Sequence, residues 1–260
     1  VKLEQESEVE AAPNDEPSSP SAWTDEQLFK RPPPNEECPI CMLPLPLNAG
    51  QTNYQACCGK IICCGCIHVV RKGTERTICP FCRTPTHTSD REAIERVMKR
   101  VDANDAEGMY NLGFYIRDGR YGLRQNRRKA MKLWLRAGEL GLAEAYHNVG
   151  YAYRHGDGVE MDLKKAKYYY ELAAMGGDAF ARHNLGCMEE RSGNMDRAVK
   201  HWMISAAAGY DKSLRHIREY YLKGHATKDD FEKALRAQKE AADEMKSDQR
   251  DAAAAARGQN

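Results

Sequence analysis

"ACCGKIICCGCI", residues 56–67, sets five cysteines within ten residues. Thiols packed this densely bridge one another, hold metal or do redox chemistry, and the rest of the chain decides which. Ten cysteines occur in 260 residues; nine lie between Cys38 and Cys82, and only Cys187 stands apart. A disulfide-stapled secreted protein of this length spreads its cysteines more widely. The N-terminal stretch is acidic and lacks the apolar core of a secretory signal. Four close pairs, Cys38/Cys41, Cys57/Cys58, Cys63/Cys66 and Cys79/Cys82, supply eight thiolates, enough for two four-coordinate zinc ions. A C-x-x-C spacing lets two sulfurs from one turn reach one ion at about 2.3 Å. Zinc in a reducing compartment, cytoplasmic or nuclear, is therefore expected, rather than the redox chemistry of a lone C-x-x-C. Cys64 is a spare thiol, and His68 and His87 are reserve ligands.

Outward from this cluster the chain changes character. Residues 1–37 hold ten acids against three bases, a net −7, which leaves +8 for the remainder of a chain that is +1 overall. Residues 1–36, rich in Glu, Pro and Ser, bury too little apolar surface to offset their ordering entropy. They are expected to be disordered apart from a short helix around Trp23 to Phe29. Residues 37–85 form the cysteine module. In residues 86–104, Ser89 and Glu92 fit a capping box, and Ile94, Val97, Met98 and Val101 share one face of a linker helix. Residues 248–260 read as a flexible tail. No run of about 18 apolar residues exists, so no membrane span is expected.

Between residues 105 and 247 the sequence repeats. Ala130, Ala166, Ala198 and Ala234 follow Lys or Arg at spacings of 36, 32 and 36. Trp134, Tyr170 and Trp202 stand four residues after the first three, and Gly141, Gly177 and Gly209 eleven after them. Upstream, "NLG", "NVG" and "NLG" end at Gly113, Gly150 and Gly186. A period near 36 built from two amphipathic helices predicts a helical solenoid. Small residues let paired helices approach, the aromatic fills the gap, and the last glycine permits a left-handed stop. A fourth unit from Asp211 keeps "FEKA" but carries Gln238 at the aromatic position, as a degenerate terminal repeat would. His147, His183 and His216 share one register, which points to helix packing, and Cys187 reads as a small buried side chain.

Two resemblances add to this reading. Leu112-Gly113, "GDGV" at 156–159, "DLKKA" at 162–166 and "ELAAMGG" at 171–177 resemble Sel-one-like repeats, relatives of tetratricopeptide repeats. That resemblance implies an antiparallel helix-pair superhelix that binds proteins. "CPIC" at 38–41 and "CPFCRTP" at 79–85 resemble a RING finger. The implied architecture is a small zinc-bound cross-brace module followed by an all-α helical-repeat solenoid. By the RING resemblance, Cys38, Cys41, Cys63 and Cys66 would hold one zinc, and Cys57, Cys58, Cys79 and Cys82 the other. One departure is Lys60, which stands where many RING fingers carry a ligating histidine, so both Cys57 and Cys58 are assigned as ligands although adjacent ligands are sterically tight.

The RING resemblance further implies recruitment of a ubiquitin-conjugating enzyme through Ile40, Pro80 and Phe81, with Arg83 as the hydrogen-bonding cation. The repeats would then hold a protein substrate or adaptor. The competing class is a non-catalytic zinc-binding interaction scaffold. A third, nucleic-acid binding, would rest on the run Arg117, Arg120, Arg124, Arg127, Arg128, Lys129 and Lys132, which lacks the interleaved aromatics that base stacking needs. No Ser-His-Asp or paired-carboxylate constellation is present, so a metabolic enzyme is not expected.

Overall fold

A computed structural model describes residues 23–73 and 77–257. Eight helices pair into four hairpins: α4 (Ala106–Asp118) with α5 (Arg127–Glu139), α6 (Ala143–His155) with α7 (Leu163–Met175), α8 (Ala179–Arg191) with α9 (Met195–Ala207), and α10 (Asp211–Leu222) with α11 (Lys228–Glu244). The repeating sequence markers meet in space. A Cβ on Gly113 would stand 2.4 Å from the Trp134 ring, one on Gly150 2.7 Å from Tyr170, and one on Gly186 2.4 Å from Trp202. Each glycine thus empties a notch on the first helix into which the aromatic of the second lies flush. Ala130, Ala166 and Ala198 are fully buried beside these rings. Gly141, Gly177 and Gly209 have φ of 97°, 102° and 98°, the left-handed region that a side chain disfavours. The fourth hairpin has no such notch, and α11 buries only Ala234.

The cysteine module contains one antiparallel hairpin, β1 (Thr52–Gln55) with β2 (Lys60–Cys63), followed by α2 (Cys64–Gly73). It is joined to the solenoid by α3 (Asp90–Asp102). The Ser89 side chain caps Glu92 N–H at 3.2 Å, while the Glu92 carboxylate accepts from Thr88 N–H at 2.9 Å, so the reciprocal bond falls one residue before the expected box. Val97 packs with Leu112 and Ile116 of the first repeat. On the other side Arg100 donates to the carbonyls of Ala56 and Cys57 at 3.2 and 3.0 Å, and Arg96 to that of Pro85 at 2.8 Å. The linker helix is therefore a rigid strut.

Two segments read as disordered or flexible are built into the fold. Residues 1–22 lie outside the described residues, but 23–36 run along the solenoid. Thr24 caps α1 (Asp25–Leu28) in a full capping box with Gln27. Leu28 is buried, the Phe29 ring lies 4.7 Å from that of His201, and the Arg197 and Lys200 cations sit 5.4 and 5.6 Å from the Phe29 centroid. Asp25 pairs with Arg197. The short helix expected around Trp23 to Phe29 is thus present, and its apolar turn anchors the segment on the solenoid.

The expected tail forms α12 (Asp248–Arg257), which returns to pack on α2. Gly65 makes this possible, since a Cβ there would fall 2.9 Å from the Arg250 backbone nitrogen. The flexible reading fails because the five alanines 252–256 have high helix propensity yet no apolar period to announce a packing face. Residues 258–260 lie outside the described residues.

His201, under the Phe29 ring, is fully buried with neither ring nitrogen hydrogen-bonded. Burial, reinforced by Arg182, pushes its pKa down to about 3. The folded value is below the unfolded one of about 6.5, so the stability that neutral His201 contributes is complete above that pH and is lost as pH falls. Compared with His201→Leu, the parent should lose about 1.4 kcal/mol more per pH unit between pH 6.5 and 4. Urea denaturation of both proteins across that range reads the difference, and parallel stability curves would remove this role from His201.

Candidate metal centre

The module's two ends are the same knuckle built twice. Cys38 N–H donates to Leu43 O at 2.9 Å and Met42 N–H to Cys38 O at 2.9 Å. Cys79 N–H donates to Thr84 O at 2.8 Å and Arg83 N–H to Cys79 O at 3.0 Å. In each, the residue after the second cysteine takes positive φ, 56° at Met42 and 63° at Arg83. A short antiparallel bridge closes each knuckle, Glu37 with Pro44 and Ile78 with Pro85. Four further thiols come from the hairpin and the start of α2. Cys57 and Cys58 occupy the hairpin turn, where Gly59 (φ 70°) and the bond from Cys58 N–H to Gln55 O at 3.0 Å reverse the chain. Cys63 ends β2 and Cys66 lies in the first turn of α2.

These elements bring Cys38, Cys41, Cys63 and Cys66 into one group and Cys57, Cys58, Cys79 and Cys82 into another. The groups interleave along the chain. Sulfur separations are 3.9 Å for Cys38–Cys66, 3.8 Å for Cys41–Cys63, 3.8 Å for Cys58–Cys79 and 3.3 Å for Cys57–Cys82. A tetrahedron with ligands at about 2.3 Å has edges of about 3.8 Å, so the four-sulfur sets fit an ion of zinc's size. The turn splays the adjacent side chains of Cys57 and Cys58 into one group. Cys64 stays outside both and points its thiol to Gly50 O at 3.5 Å. All ten cysteines are free thiols.

The electrostatics also call for a cation. Burial and the neighbouring sulfurs push Cys58 up to about 11, and they raise Cys57 and Cys66 as well. Burial opposes ionisation of Cys38 too, but backbone N–H groups of Cys41, Cys63 and Ile40 outweigh it and hold this thiol at about 7. Cys82 is held at about 6 against burial by Thr84. Four thiolates at such separations coexist only with positive charge between them.

One cation that the sequence did not single out reaches the first group from α12. The Arg250 guanidinium donates to Pro44 O at 2.8 Å and Leu43 O at 3.4 Å, and approaches Cys41 Sγ at 3.7 Å. It thereby ties the first knuckle to the C-terminal helix. No local signal marks it, because Arg250 lies 209 residues from Cys41.

Ile40 and Phe81, one on each knuckle, are exposed at 40% and 47%, and Arg83 is exposed beside Phe81. Pro80 is buried, so it offers no surface to a partner and instead stiffens the turn that carries Phe81. The basic run of the first repeat is engaged at several points. Arg117 pairs with Asp118 at 2.7 Å and covers the Phe114 ring, and Arg127 pairs with Asp157 at 2.9 Å. Among the described residues no helix is long and apolar enough to cross a membrane.

A stack of notched helix hairpins with a cysteine-rich module packed across its ends defines a helical-repeat protein. Its repeats are of a particular kind: residues 106–142 and 143–178 match the model of the Sel1 repeat family. A Sel1-like repeat-containing protein of Acanthamoeba polyphaga mimivirus is 35% identical over 77 residues, which span 30% of this chain and 14% of that protein. The Sel1 repeat protein from Oxalobacter formigenes superposes with a TM-score of 0.52 at 27% identity, covering 58% of this chain and 64% of that one. A protective antigen of uropathogenic Escherichia coli strains, displaying an SLR fold, gives a TM-score of 0.51 at 25% identity over 59% of this chain and 33% of its own. The chain thus carries Sel1 repeats in a helical solenoid while spanning only a small part of the curated relative that it matches.

Proposed function

We propose that the chain is a RING-type ubiquitin-protein ligase, in which the cysteine module binds two zinc ions and recruits a charged ubiquitin-conjugating enzyme while the Sel1 repeats hold a protein substrate or adaptor. The observation that carries this reading is the interleaving of the two four-sulfur groups, with Ile40 and Phe81 exposed on the two knuckles. Zinc, when bound, cross-links strands that share little apolar core. The module supplies no nucleophile; its contribution is positioning. Ile40 and Phe81 offer apolar contact to the conjugating enzyme. Arg83 has its backbone fixed by the second knuckle and its side chain exposed, so its guanidinium can donate to enzyme and ubiquitin together. Lys60, exposed in place of a histidine ligand, favours the alternative of a non-catalytic zinc-binding scaffold.

Single-turnover discharge of ubiquitin from a panel of charged conjugating enzymes separates the two. Arg83→Ala should slow discharge about tenfold, equivalent to about 1.4 kcal/mol of transition-state stabilisation, with zinc content unchanged. Ile40→Ala should weaken recruitment. A parent protein that accelerates no enzyme of the panel is a scaffold. If it accelerates discharge and Arg83→Ala does so equally, the role given to Arg83 is wrong.

A further inference from the structure

Three donor side chains converge between the third and fourth repeats, far along the chain from the cysteine module. His183 and Cys187 lie one turn apart on α8, with Cys187 Sγ 3.7 Å from His183 Nε2. His216 on α10 brings its ring centroid to 5.1 Å from that of His183, and is held there by stacking on Trp202 at 4.7 Å. The donor atoms of the three side chains all lie within 4.8 Å of one another.

A buried relay fixes the state of His183. Ser205 Oγ lies 2.7 Å from Ala179 O, which can only accept, so the Ser205 hydroxyl hydrogen is spent there. Ser213 Oγ, 2.8 Å from Ser205 Oγ, must then donate its own hydrogen to it. His183 Nδ1 lies 2.9 Å from Ser213 Oγ. The hydroxyl has no hydrogen left for the ring, so Nδ1 carries the proton and donates. Nε2 is left with a bare lone pair directed at Cys187. This is the arrangement by which an outer hydrogen bond sets the tautomer of a metal-ligating histidine. Both serines are fully buried, which keeps water from breaking the relay. His216 Nδ1 is itself buried and has no hydrogen-bond partner.

Helix packing alone does not account for the trio. The first and third members of the shared histidine register, His147 and His216, are followed one turn later by Tyr151 and Tyr220; only His183 is followed by a thiol. Cys187, His183 and His216 are each half-buried, so an ion can enter.

We propose that His183, Cys187 and His216 form a second kind of metal site, taking a soft divalent ion of the zinc type through two imidazole nitrogens and one thiolate, with a fourth position open to water. Two nitrogens and a sulfur suit zinc chemistry, and three protein ligands leave one tetrahedral vertex free. Binding releases the Cys187 thiol proton to solvent. The ion would staple α8 to α10 and fix the angle between the third and fourth repeats. The site is independent of the ligase reading.

The test compares zinc bound per full-length chain, after equilibration and gel filtration, for the parent, Cys187→Ala and His216→Ala. Each variant should hold one equivalent less than the parent, whatever number the cysteine module holds. Ser213→Ala keeps all three ligands but frees the tautomer, and should weaken zinc binding at this site about tenfold or more. Equal zinc in the parent and Cys187→Ala overturns the site. Should the variants fail to fold, alkylation of Cys187 in the parent decides: zinc should slow it at least tenfold, and an unchanged rate overturns the proposal.

Discussion

If the two four-sulfur groups hold zinc as proposed, stripping it with a strong chelator should unfold residues 37–85 and leave the helical repeats standing. The module's buried core is little more than its own ligands, with Ile62 and Ile67 the main apolar additions. Structural zinc contributes about 10–16 kcal/mol near neutral pH, so a module this small does not survive its loss. The repeats differ in kind. Their cores are Trp134, Tyr170, Trp202 and the alanines and aliphatics around them, with no dependence on the cysteine module's thiols. Helical circular dichroism should therefore persist while limited proteolysis cuts within 37–85 and releases α12 from α2. Cys38→Ser should act like the chelator on the first group. In the Cys187→Ala protein, which isolates the cysteine module, elemental analysis should give two zinc ions; one or none would end the cross-brace reading.

Trp202→Ala should cost about 3–5 kcal/mol, the range for deleting a large buried aromatic. Trp202 is fully buried in the notch left by Gly186, stacks on His216 and tilts against Tyr220, so one ring spans the third hairpin and the start of the fourth. Gly186→Ala attacks the same joint from the other side, pressing a methyl group into the ring. Because a solenoid need not unfold in one step, the readout is residue-resolved hydrogen exchange. Protection should collapse across α8 to α11 while α4 to α6 keep theirs. A loss below about 1 kcal/mol would show that the notch is not what holds the hairpin.

The repeats were legible because their physics recurs. Gly113 with Trp134, Gly150 with Tyr170 and Gly186 with Trp202 are one steric device written three times, and repetition separates signal from accident. The cysteine pairs were legible because a metal centre needs a fixed set of donors at fixed spacing. What escaped has the opposite character. The short helix around Trp23 to Phe29 was legible, but not the burial of Leu28 and Phe29 against the solenoid. The alanines of α12 carry propensity without a face. Arg250 beside Cys41, and Cys187 between His183 and His216, are meetings across space that no local window contains.

The return of α12 to α2 also sets the order in which this chain can be made. Elsewhere in the solenoid each hairpin packs mainly on its neighbours, the low contact order that lets helical proteins fold fast. The closing contacts are of another class: Gln249 meets Cys66 across 183 residues and Arg250 meets Pro44 across 206. Closing such a loop costs more entropy while the chain inside it is unstructured, so it closes most readily after the hairpins have taken shape. During synthesis every hairpin can therefore fold as it emerges, while the cysteine module waits, unlatched, until the ribosome has passed residue 257.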